Sequence, residues 1–102
     1  MNTPRQRIQF ESQHPDGLLV SLRMATPVPQ ERFLRLQEDL EHLTEELEGA
    51  TVLERDLAGA LHALSFHLEG CAAALRQKGL LPADLDELLP LIYIQIDEIF
   101  QT

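Results

Sequence analysis

Residues 52–78 carry apolar side chains along two opposite faces of a helix, and this constrains the fold more than any other stretch. At about 100° per residue, Leu53, Leu57, Ala60, Leu61, Leu64, Leu68, Cys71, Ala72 and Leu75 form one broad stripe. Val52, Gly59, Ala63, Phe66, Gly70, Ala73 and Ala74 form a second stripe across from it, leaving a narrow polar strip that includes His62, Ser65 and Glu69. A helix of this pattern is expected to be covered on both faces, one by the core. The other is covered either by further elements of the same chain or by a second copy. Gly59 and Gly70 sharpen the question, because a helical Gly costs about 1 kcal/mol relative to Ala and close backbone approach is the usual compensation. Thr51 is the expected N-cap, with Glu54 completing a capping box, and Gly79 ends the helix.

The preceding segment opens near Pro29. Phe33, Leu36, Leu40, Leu43 and Leu47 step by three and four, a narrow seam on an otherwise charged helix that stops at Gly49. After Pro82, a third stripe made by Leu85, Leu88, Leu89, Ile92, Ile96, Ile99 and Phe100 predicts a helix with a kink near Pro90. The β-rich run 91–96 admits a strand, but the period continues through Ile99 and Phe100 and favours helix. Leu91 and Ile94 then point away from the core.

Before Pro27 the pattern changes. Residues 5–12 alternate, with Ile8 and Phe10 on one side and Arg7, Gln9 and Glu11 on the other. A Pro15-Asp16-Gly17 turn follows, and residues 18–25 alternate again through Leu18, Val20, Leu22 and Met24. The expectation is an α+β fold in a single domain spanning 1–102: an N-terminal β-hairpin over 1–27, then a three-helix bundle over 28–102. Leu supplies 20 of the 102 residues and there is no Trp, a composition that favours helices over a large sheet architecture.

Charge narrows the function. Lys and Arg number 8 against 17 Asp and Glu, a formal net charge of -9. Nucleic acid and anionic lipid are poor partners for such a surface. No run approaches the roughly 18 apolar residues of a membrane span, and residues 1–8 are too polar for a signal peptide, so a cytoplasmic protein is expected. Seven of the eight cations are Arg, which points to a GC-rich, bacterial genome.

Chemistry is sparse. There is no Gly-rich phosphate loop, no nucleophile elbow, and one Cys, so no catalytic, cofactor or metal residue is assigned. His67 and Cys71 are four apart, a spacing two metal ligands could share, but Cys71 lies inside the main apolar stripe. An enzyme using His67, by histidine phosphotransfer or with a metal, is the remote alternative. Where phosphotransfer domains carry Lys-Gly beyond their His, this chain has Glu69-Gly70.

The reading that follows is a non-catalytic interaction or regulatory protein that self-associates as a homodimer. Its candidate face comprises Gly59, Ala63, Phe66, Gly70, Ala74, Leu91 and Ile94. The alternative is an acidic immunity- or antitoxin-like protein that neutralises a basic partner through Glu38, Asp39, Glu41, Glu45, Glu46 and Glu48.

Overall fold

Thr3 opens the first helix rather than a strand. Its hydroxyl accepts from the Gln6 backbone N–H at 3.2 Å, its own N–H donates to Gln6 Oε1 at 2.9 Å, and Pro4 follows at the first helical position. The computed structural model describes residues 3–26, 28–50 and 52–101, and among these there are five helices and no strand. They are α1 (Pro4–Gln13), α2 (Leu18–Arg23), α3 (Gln30–Glu46), α4 (Arg55–Gln77) and α5 (Ala83–Gln101).

The expected α+β fold with its N-terminal hairpin is therefore wrong, and the residues show why. Ile8 is fully buried but Phe10, its partner in the alternation, is 40% exposed and stacks on His14 one turn later. In the second segment Leu18, Leu19 and Leu22 are buried, a helical spacing, whereas Met24 is 71% exposed. The turn between them is a helix–helix corner. Pro15 forces His14 into extended backbone, ending α1, and Gly17 lets α2 start against it. A Cβ on Gly17 would stand 2.3 Å from the Phe10 carbonyl oxygen.

The three later helices appear where their periods place them. Phe33, Leu36, Leu40 and Leu43 of α3 are buried, as are Leu57, Leu61, Leu64 and Leu68 of α4 and Leu85, Leu89, Ile92 and Ile96 of α5. Residues 91–96 are helical, and α5 continues through Pro90, whose side is exposed. Thr51, the expected N-cap, and Pro27, the expected end of the hairpin, lie outside the described residues; the N-cap position of α4 is Glu54.

Packing arranges α1, α3, α5 and α4 as the corners of a bundle, with neighbours in that order, while α2 rests on α1 and α4. The consecutive helices α3 and α4 thus occupy opposite corners, and α1 lies between them. Ion pairs set the directions. Arg5 meets Glu46, Arg7 meets Asp39 and Arg32 meets Glu11, so α1 and α3 are antiparallel. Arg5 also meets Glu54, so α1 and α4 start at the same end. The short 78–82 connection turns α5 back along α4, which leaves α5 parallel to α3.

Candidate functional site

The outer face of α4 is bare. Leu57, Leu61, Leu64, Leu68 and Ala72 fill the core, and the second stripe is turned to solvent, with Phe66 69% exposed; Val52, expected on the same stripe, lies in the connection before α4 and is 79% exposed. Gly59, Gly70 and Ala74 are exposed beside Phe66 and Ala63 is half-buried. Among the described residues no neighbouring atom lies within 4 Å of the place a Cβ would take at Gly59 or Gly70, so none of them uses the space these glycines leave. The two are 11 residues apart, about three turns, and so lie on the same line of the helix. Phe66 is flanked by His62 in an offset stack with ring centroids 5.7 Å apart and by His67 edge-on at 5.5 Å. α4 carries Arg55 and Arg76 against Asp56 and Glu69 and is formally neutral within a strongly acidic chain.

Not all of the predicted self-association residues come together. Gly59, Ala63, Phe66, Gly70 and Ala74 share the α4 face. Leu91 and Ile94 are exposed, 50% and 55%, but on α5. Tyr93 and Asp86 mark the side of α5 facing α4, and Gln95 the side facing α3, through its Nε2 donating to the Gln37 carbonyl at 3.3 Å. About 100° per residue puts Leu91 some 40° from Gln95 and 160° from Tyr93. Leu91 therefore belongs to the α3 side, away from Phe66, and Ile94 points straight outward.

The predicted basic-partner residues also divide. Asp39 is buried, 3% exposed, and both of its oxygens accept from Arg7, at 2.9 Å from Nε and 2.7 Å from Nη2. Glu46 accepts from Arg5, whose Nη1 reaches Glu54 at 2.6 Å. These two carboxylates stitch α1 to α3. Glu38, Glu41, Glu45 and Glu48 remain exposed.

Sequence reasoning missed this α1–α3 seam. A cleft of about 550 Å³ runs along it, lined by Arg7, Phe10, Glu11, Arg32, Arg35 and Asp39 among others. Most of its charges are spent on each other: Arg32 holds both Glu11 carboxylate oxygens and the Asp16 carbonyl, and Arg7 holds Asp39. Hydrogen bonding to Asp39 raises the Arg7 pKa and locks its charge.

A second cluster joins α4 to α5. Arg76 donates to both Asp86 oxygens, at 2.6 and 3.3 Å, and holds the Asp86 carboxyl below its usual value. Beside it the Tyr93 hydroxyl is buried without a hydrogen-bond partner among the described residues. Burial, and then the nearby Glu69 carboxylate, raises the Tyr93 pKa.

His67 is exposed and Cys71 half-buried, and among the described residues no three His, Cys, Asp or Glu side chains are grouped to hold a metal ion. No helix among them is long and apolar enough to cross a membrane. Comparison with known proteins returns no match: no family model fits the sequence, and no curated protein or solved structure matches it.

Proposed function

We propose that this chain is a non-catalytic interaction module that works as a homodimer, with the outer face of α4 packed on the same face of a second copy. The observation that carries the reading is the open space at Gly59 and Gly70. Two glycines inside a 23-residue helix cost about 2 kcal/mol together, and the chain itself gains no contact from either. Close helix–helix contact across a two-fold axis would recover that cost, with Phe66 supplying apolar area beside the glycines. The neutrality of α4 supports the same face, since two chains of charge -9 approach most easily where neither presents excess charge.

The test is sedimentation equilibrium of the native chain across a wide concentration range at low and high salt, beside Gly59→Glu. That glutamate enters open space and leaves the monomer fold intact, which the helical circular dichroism spectrum checks. The expected result is a dimer that persists in high salt and dissociates in the variant. A native chain that is monomeric throughout, or a dimer indifferent to Gly59→Glu, overturns the proposal.

A further inference from the structure

The net charge of the chain is not spread over its surface. Helix α3 holds six carboxylates against two arginines and α5 holds five against none, so these two neighbouring helices carry a charge equal to that of the whole molecule. Neither arginine of α3 relieves the outer surface: Arg32 is bound to Glu11 on α1, and Arg35 lines the α1–α3 cleft. Along the α1–α3 seam Glu11, Asp39 and Glu46 each have an arginine. Along the outside of the α3–α5 seam no ion pair is made among the described residues by Glu38, Glu41 and Glu45 of α3 or Glu87 and Glu98 of α5.

That anionic surface has an apolar centre. Gln95 and Gln37 fix the register of two parallel helices. One turn earlier on each come Leu91 and Leu34, exposed by 50% and 42%, and by the helical angle both lie on the outer side of the seam. Between them and the core, Gln95 Oε1 is buried with no donor among the described residues. An exposed leucine pair rimmed by unpaired carboxylates is the complement of a helix with a leucine stripe flanked by Lys or Arg. A second copy does not fit, because its Arg5, Arg7 and Arg32 are already paired with carboxylates of their own fold and its net charge repels.

We propose that the outer face of the α3–α5 seam docks a basic amphipathic helical segment of a partner protein. This face lies across the bundle from the α4 face, so docking goes beyond self-association and does not depend on it.

The probe is a fluorescein-labelled synthetic helix of about 18 residues, five turns, made of Leu and Lys with the leucines on one stripe. Its control is a scrambled peptide of the same composition. With the full chain, fluorescence anisotropy is expected to show saturable binding of the striped peptide at least about tenfold tighter than the scramble. Affinity is expected to fall at least about tenfold in high salt, through screening, and also in the Leu34→Ser/Leu91→Ser variant, whose exposed sites leave folding intact by circular dichroism. Equal binding of the scramble, or no loss in the serine variant, overturns the proposal. Gly59→Glu is expected to bind the striped peptide unchanged. Loss of binding there would move the site to α4 and equally overturn it.

Discussion

The Arg7–Asp39 pair permits a quantitative test of how the N-terminal helix is held. Helix α1 contributes a single fully buried apolar side chain, Ile8, worth about 2 kcal/mol on burial. Its attachment to α3 therefore rests largely on charge-assisted hydrogen bonds. The Asp39 side chain is 4% exposed and takes two such bonds from an Arg7 side chain that is 31% exposed. Arg7→Met strands a buried carboxylate, a change that costs about 3 to 5 kcal/mol when solvent is fully excluded. Water can follow the partly open Arg7 site, so about 2 to 3 kcal/mol is expected here. Replacing both partners, as Arg7→Met/Asp39→Leu, removes the stranded charge and is expected to come within about 1 kcal/mol of the native chain. The assay is urea unfolding followed by circular dichroism in the Gly59→Glu background, which keeps protein concentration out of the result. With a slope near 1.2 kcal/mol per molar, Arg7→Met lowers the midpoint by about 2 M and the double variant restores most of it. A single variant within about 0.5 M of its parent, or a double variant no better than the single, would refute the claim that α1 is held by this pair.

Three further outcomes are expected. Gly17→Ala drives a methyl into the Phe10 carbonyl and is expected to lose at least about 2 kcal/mol in urea melts, whereas Gly70→Ala, placed in open space, gains up to about 1 kcal/mol as the monomer. Asp86 is held below its usual 3.8 by Arg76, so the stabilisation is complete above that value and fades as pH falls through the depressed one. Carboxyl NMR should show Asp86 titrating below the ordinary carboxylate range and returning to it in Arg76→Gln. Tyr93 is the only tyrosine, so absorbance at 295 nm reports it alone. Its pKa is raised above the ordinary 10.0, so folding favours the neutral phenol and stability declines as pH rises past 10. No phenolate is expected near pH 10 until the chain unfolds, and an ordinary titration curve in the folded protein would contradict the burial of its hydroxyl.

What the sequence disclosed and what it hid follow a physical division. Helices α3, α4 and α5 could be read because each carries its own period, and the same angles set Phe66 and Leu91 off the core stripes, but they do not decide whether the chain itself covers the Phe66 face. The N-terminal elements could not, because five alternating residues suit a strand as well as one turn of helix. The decision lay in Thr3 and Gln6, a capping box at the very start, and in partners of Arg5, Arg7 and Glu11 that are 21 to 49 positions away. Asp39 is one of six acids on α3, and nothing local marks it as the buried one. The division of Leu91 from Phe66 required knowing which side of α5 meets α3.

The place of α1 between α3 and α4 has a consequence for how the protein is made. A chain emerging from a ribosome completes α1 first, but the groove that receives α1 does not exist until α4 has been synthesised. Until then the first helix can meet Asp39 and Glu46 of α3, but Ile8 and the Glu54 partner of Arg5 wait for the groove to be completed. Its contacts span 41 and 49 residues in the Arg5 ion pairs. Closing such loops late is slow, and local α4–α5 pairing can precede it. An N-terminal fusion or tag that hinders α1 would then act after synthesis, leaving a helical core with one open side rather than an unfolded chain.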